Sequence, residues 1–156
     1  MPNHVYHSIN VTGKKEAVDN FKKHFAVDIN QVISFDFNTI IPMPEHIFQG
    51  NLGKEEKTKY GRDNWYDWSL ENWHTKWNAY KTELVEDADE SLSFNFQTAW
   101  SFPQPIIDKL IEMHPDLVFD GHANEEAGFF NFDWDNQDGM FHQYDLPMEE
   151  QEEIEE

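Results

Sequence analysis

The residues best equipped for chemistry gather in two stretches. Residues 63–80 read D-N-W-Y-D-W-S-L-E-N-W-H-T-K-W-N-A-Y and contain Trp65, Tyr66, Trp68, Trp73 and Trp77. Large, stiff rings of this kind form interface hot spots and platforms for stacked bases. Asn64, Asp67, Asn72, His74, Lys76 and Asn78 interleave with them and offer hydrogen bonds. Lys76, set between Thr75 and Trp77, is the polar residue of greatest interest, and Trp100 adds an indole downstream. A packing explanation competes. Aromatics at helical spacing usually mark a buried stripe, and for most of these indoles it is the favoured reading in a chain poor in leucine.

The second stretch is acidic. Asp133, Asp135 and Asp138 precede Gly139 in a pattern similar to a calcium loop. The register fails: glycine at the sixth loop position puts Trp134 at the first, and an indole cannot ligate. A hairpin turned at Asp-Gly is the better reading. Glu125 with Glu126, or Asp63 with Asp67 four residues apart, offers a carboxylate pair for acid/base work. Like charges on one helical face more often meet solvent. The eight histidines show no zinc spacing, and His4 and His7 fall on opposite faces of a strand. There is no Gly-rich phosphate loop, no nucleophile elbow and no recognisable Ser/His/Asp setting. The expectation is a non-enzymatic protein with no metal and no cofactor.

These residues sit in a chain of 156 with 38% hydrophobic and 15% aromatic content, enough for a real core in a single domain. Cysteine is absent, which excludes disulfides, thiolate metal sites and a Cys nucleophile. No apolar run approaches the roughly 20 residues that span a bilayer. No basic-then-apolar leader opens the sequence, so a cytoplasmic location is expected. The net charge of −20 is lopsided. Residues 1–81 carry ten acids and ten bases; residues 82–156 carry twenty-one acids and Lys109 alone. Such a field opposes nucleic acid and attracts basic partners. Residues 149–156, E-E-Q-E-E-I-E-E, read as a disordered acidic tail.

The elements follow from periodicity. Val5, His7, Ile9 and Val11 alternate with polar neighbours, giving a strand at residues 4–12. Ala17, Val18, Phe21 and Phe25 give a helix over 14–25. A second strand is read at 32–37, followed by the stiff Ile40-Ile41-Pro42-Met43-Pro44. Residues 49–62 are loop or short helix. The Trp-rich segment is helical, with Asp63 as its cap and Tyr66, Leu70, Trp73 and Trp77 on one face. Either the helix continues toward Tyr80, or it ends near His74 and residues 76–84 are already extended; the period does not separate the two. Leu92, Phe94 and Phe96 mark a strand at 91–97. Ile106, Leu110 and Met113 mark a helix between Pro105 and Pro115. A strand at 117–122 and a hairpin at 129–146 close the chain. The class is α+β: a ferredoxin-like βαββαβ antiparallel sheet with two helices on one face. One domain is expected over 1–148, with a Trp-rich insertion at about 49–84 between the second and third core strands and a C-terminal β-hairpin.

Several motifs occur in order: Met1-Pro2-Asn3, Phe35-Asp36-Phe37-Asn38 with the Ile40–Pro44 run, Trp65-Tyr66-Asp67-Trp68, Glu71-Asn72-Trp73, Thr75-Lys76-Trp77-Asn78-Ala79, Thr98-Ala99-Trp100-Ser101 and Glu125-Glu126-Ala127-Gly128. Together they resemble the Api-ninety-two-like proteins with their YubB ferredoxin-like domain, encoded largely by phages, prophages and plasmids. The resemblance implies a ferredoxin-like fold and a mobile-element origin, and it brings no activity and no catalytic residues. His74 stands where the family is expected to favour Gly.

The resulting expectation is a mobile-element binding module. Its acidic half docks on a basic surface of a host protein, such as one that handles nucleic acid, as a decoy or inhibitor. The candidate binding residues are Trp65, Trp68, Trp73, His74, Lys76, Trp77, Trp100, Glu125, Glu126, Asp133, Asp135 and Asp138. Two alternatives stay open: a ferredoxin-like domain stacking nucleic-acid bases, and a small-molecule enzyme or sensor around His74 and Lys76.

Overall fold

Alternation of buried and exposed side chains carries straight into strand β1 (His4–Thr12), where Val5, His7, Ile9 and Val11 all turn inward. The computed structural model describes residues 3–147; the tail expected at 149–156 lies outside them. Helix α1 (Lys15–Phe21) follows β1 and is shorter than its pattern suggests. The chain tightens into a 3-10 turn through His24, then leaves as β2 (Phe25–Val27) to pair with β3 (Ile33–Phe35) in a small separate sheet. Helices α2 (Lys54–Tyr60) and α3 (Trp65–Asn72) come next. Then come β4 (Tyr80–Asp87), β5 (Ser91–Ala99), α4 (Gln104–Met113), β6 (Val118–Glu125), β7 (Asn131–Asp135) and β8 (His142–Asp145).

The main sheet has six strands in the order β4-β5-β1-β6-β7-β8, every neighbour antiparallel. Its first four strands make the ferredoxin-like set. One crossover leaves β1 through α1 for β4, and the other leaves β5 through α4 for β6. Both helices cover the same face. Val18 and Phe21 of α1 and Ile106, Ile107, Leu110 and Ile111 of α4 join Val5, Ile9, Phe94, Phe96 and Phe119 in one buried cluster. The terminal hairpin extends the sheet past β6. Gly121 lies opposite Trp134, and a Cβ there would come within 2.4 Å of the indole, so this strand position needs a glycine for the ring to lie flat.

Two expectations are corrected. The strand near 32–37 does not enter the main sheet; the second core strand is β4, which begins inside the span expected to be insertion and runs past its end. The Trp-rich segment therefore belongs to the first crossover and precedes the second core strand. The physical reason is a contest between two extended segments. Residues 33–35 are held by a local hairpin to 25–27, whereas 80–87 reaches the edge of β5. The helical face of Tyr66, Leu70, Trp73 and Trp77 also breaks, because α3 stops at Asn72 and His74 turns left-handed at φ 65°. The cap of α3 is Asn64 rather than Asp63: its Oδ1 accepts from Asp67 N at 2.9 Å.

Candidate functional site

Two surfaces carry the chemistry. The first is the aromatic corner where the turn after α3 meets the end of β5. Trp73 is 2% exposed and donates from Nε1 to Ile41 O at 2.8 Å, so it is core. Trp68 packs edge-on against it, and Trp65 is tied by Nε1 to Gly50 O at 2.9 Å. Trp77 and Trp100 differ, at 38% and 37% exposed. Lys76 lies between them, its Nζ 4.6 Å from the Trp77 ring centroid and 5.2 Å from that of Trp100. This arrangement is favourable because the negative ring faces attract the ammonium. Tyr66 meets Trp100 edge-on at 6.0 Å. The joint is held by Ser101, whose hydroxyl donates to His74 O, and by Trp100 N, which donates to Asn3 O at 2.9 Å. Trp100 has φ 80°, so two bulky residues, His74 and Trp100, hold left-handed backbone here. Of the candidate residues, the structure thus brings together His74, Lys76, Trp77 and Trp100, while Trp65, Trp68 and Trp73 are taken up in packing and hydrogen bonds.

The second surface is the face of the main sheet away from α1 and α4. Strand register lines its side chains into cross-strand rows. One row runs Glu83, Asn95, Ser8, His122, Asp133, Tyr144; the next runs Glu86, Ser93, Asn10, Asp120, Asp135, His142. Neighbouring strands lie about 4.8 Å apart, so these rows are continuous polar ladders. Neutral donors orient the carboxylates. Asn10 Nδ2 donates to Asp120 at 2.8 Å, Ser91 Oγ to Glu86 at 2.8 Å, and His4 N to Glu126 at 2.9 Å. His122 Nδ1 lies 2.9 Å from Asp133 Oδ1. Three phenols share the face. Tyr80 is pushed up to about 12 by burial and then by the charge of Glu126. Tyr6 and Tyr144 are also raised, first by burial and then by Glu126 and Asp135. All three therefore stay neutral donors.

Glu83, Glu86, Asp120, Asp133 and Asp135, with Glu126 at the rim, face one described cation, Lys81, which a β-bulge with φ 54° aims across the sheet. The Lys and Arg ion pairs of the described residues involve other positions: Lys15–Asp19, Lys22 with Asp19 and Asp87, Arg62–Glu71 and Lys109–Glu112. The acids of the second half do not all share this face. Asp108 and Glu112 ride on α4, on the other side of the sheet. Asp138 sits in the β7–β8 turn at φ 60°, apart from Asp133 and Asp135 on the strand. Glu125 and Glu126 do not form a pair. Glu125 is 3% exposed, and its Oε1 accepts from Ala127 N and Phe129 N at 2.8 and 3.1 Å, shaping the loop before β7. Among the described residues no three His, Asp or Glu converge as a metal site.

The sequence reading missed Glu83, Glu86, Asp120, Lys81 and His122. Their signal was the polar half of each alternating strand, which names a face only once the strands are paired.

A family model described as the ferredoxin-like domain in Api92-like protein matches residues 72–156. No curated protein and no solved structure matches the chain.

Proposed function

From the premise that the chain belongs to the Api92-like proteins, by their ferredoxin-like domain over residues 72–156, we propose that it is a non-enzymatic binding module that docks the open face of its sheet on a basic protein surface. The observation that supports this is the unequal charge of that face: six carboxylates at Glu83, Glu86, Asp120, Glu126, Asp133 and Asp135 against Lys81. Ordered, neutral-donor-held carboxylates need little rearrangement to accept lysine and arginine side chains, and their field speeds encounter. The partner by this reading is a host protein with a cationic groove, such as one that handles nucleic acid, and the module acts there as a decoy or inhibitor. A mobile-element origin and a cytoplasmic setting complete the proposal. No described helix is long and apolar enough to cross a membrane.

The test is affinity capture of host proteins by the wild-type chain and by the variant Glu83→Gln, Asp120→Asn, Asp133→Asn, Asp135→Asn, at low and high salt. A basic protein held by the wild type at low salt, and lost both in high salt and in the variant, supports the proposal. Equal capture by the two chains rejects it. A second reading has one observation in its favour, since Tyr6, Tyr80 and Tyr144 stand on the same face and phenols stack bases. Saturable binding of single-stranded RNA or DNA at low salt, weakened by Tyr6→Ala, would favour it; the carboxylates around those rings argue against it.

A further inference from the structure

A cavity of about 500 Å³ opens where the start of α1 meets the end of α4, within the range of small-molecule sites. It lies on the helix side of the sheet, and what it binds is independent of the docking proposed for the acidic face. The first wall carries Lys14, Glu16 and Ala17, and the second carries Met113, His114 and Asp116. The walls are joined at Gly13, just before α1. A Cβ there would come within 2.7 Å of the Leu117 side chain and 3.2 Å of Asp116 O.

His114 is the group that points to a ligand. It is 4% exposed, and a chain of hydrogen bonds from the interior dictates where its proton sits. The Thr39 hydroxyl donates to Asp36 O at 2.7 Å, so it accepts from His24 Nδ1 at 2.8 Å. His24 Nε2 is then a lone pair, and His114 Nε2, 2.8 Å away, donates to it. That leaves His114 Nδ1 as an acceptor, and it makes no hydrogen bond among the described residues. Nor is it sealed: the enclosed side-chain atoms without a partner among the described residues are His7 Nδ1, Asn131 Oδ1 and Trp134 Nε1. A buried imidazole is thus held with its lone pair open to the cavity that it lines. Burial, and then the charge of Lys23, lowers its pKa, so the lone pair is kept at neutral pH.

The surroundings of that lone pair favour a cation. Glu16 and Asp116 line the same cavity and join no ion pair among the described residues. The end of α4 adds the negative pole of a ten-residue helix. Lys14 brings the one lysine or arginine charge of the lining, also without an ion pair among the described residues. Ala17 and Met113 supply half-buried apolar wall. A donor-bearing cation, an anion and an apolar group are therefore called for within one small volume.

We propose that this cavity binds a free α-amino acid with an apolar side chain. The α-ammonium donates to His114 Nδ1 and meets the charges of Glu16 and Asp116. The α-carboxylate meets Lys14, and the side chain lies along Ala17 and Met113. The ammonium supplies the selectivity. Its charge-assisted hydrogen bond is of the strong kind, whereas a ligand without a donor leaves the imidazole desolvated and unpaired.

The experiment titrates the full chain with L-leucine, L-leucinamide and 4-methylpentanoate, which share the apolar group. Leucinamide lacks the carboxylate and 4-methylpentanoate lacks the ammonium. Affinities come from calorimetry, and histidine-labelled protein reports the imidazole nitrogens by NMR. Leucine is expected to bind saturably and to shift the His114 Nδ1 signal in step with occupancy. Leucinamide should bind about fivefold more weakly, as fits an exposed ion pair to Lys14. For 4-methylpentanoate the loss should be about tenfold or more. Lys14→Gln, at an exposed position, should lower leucine affinity to that of leucinamide and leave leucinamide no weaker. The proposal is overturned if leucine gives no saturable binding, if it binds with His114 Nδ1 unmoved, or if 4-methylpentanoate binds as tightly as leucine.

Discussion

His7 gives the fold an acid limit that can be worked out from its surroundings. It lies on the core face of β1, 3% exposed, with its ring stacked on Phe96 at 4.5 Å and 6° between planes. The Thr98 hydroxyl donates to Ser101 O at 2.9 Å, so it accepts from His7 Nε2 at 2.9 Å, which fixes the tautomer. Nδ1 is left as a buried lone pair with no partner. A proton added there has nothing to receive its hydrogen bond. Burial, with a smaller push from His122, lowers the pKa of His7 to about 3 from an ordinary 6.5. The unfolded chain therefore takes up a proton below pH 6.5 that the folded chain refuses. Each pH unit in that window costs about 1.4 kcal/mol, so by pH 5 the loss is about 2 kcal/mol. The sign is fixed: the contribution is absent above pH 6.5, grows as pH falls, and levels off below about 3. Urea unfolding of wild type and His7→Leu at about pH 7.5 and about pH 5 isolates it, because the other titrating groups are common to both chains. The leucine keeps the ring's apolar contacts and leaves the Thr98 donor bond intact. Wild type should lose about 2 kcal/mol more than the variant on acidification. Equal losses would refute the assignment of a neutral, unpartnered imidazole.

Other consequences are smaller or more local. Gly121→Ala pushes a Cβ into the Trp134 indole at 2.4 Å, and a loss of about 1–3 kcal/mol is expected in chemical denaturation. His74→Gly relieves a left-handed backbone at φ 65° and should raise the thermal midpoint by about 2–4 °C, for a gain near 1 kcal/mol. Asn64 is 1% exposed, accepts from Asp67 N and donates to Gly61 O at 2.8 Å; Asn64→Ala should cost about 1–2 kcal/mol and shorten α3, visible as lost helical ellipticity. His24 and His114 join the two crossovers through Nε2 atoms 2.8 Å apart. Burial, then His114 and Lys23, lowers His24 to about 4, so its imidazole signals should stay those of a neutral ring down to about pH 5 in an NMR titration.

The His24–His114 contact also explains why α1 ends early. His24 is turned inward to accept from His114, while its Nδ1 donates to Thr39 Oγ1 at 2.8 Å, a hydroxyl already committed to Asp36 O. A continued helix would carry Phe25 onto the α1 stripe. Instead Phe25 enters the small hairpin opposite Phe35. The helical period of 14–25 was real for Val18 and Phe21 and misleading for Phe25, because an apolar ring satisfies a strand pair as well as a helix face.

The sequence by itself determined the elements whose burial pattern is local. Alternation in 4–12 and 91–97 named the inward residues Val5, Ile9, Leu92, Phe94 and Phe96. Helical spacing between two prolines named Ile106 and Leu110. The family motifs and the ferredoxin-like order were legible too, because they depend on residue types in series. Tertiary structure alone decided which extended segment fills the second place in the sheet, since 33–35 and 80–87 look alike until one of them finds an edge to pair with. It also decided that Lys76 rests between Trp77 and Trp100, and that carboxylates from β4, β6 and β7 share one face. Those groups are brought together by strand register and by left-handed turns at His74 and Trp100, and register is a property of pairs of strands rather than of either sequence alone.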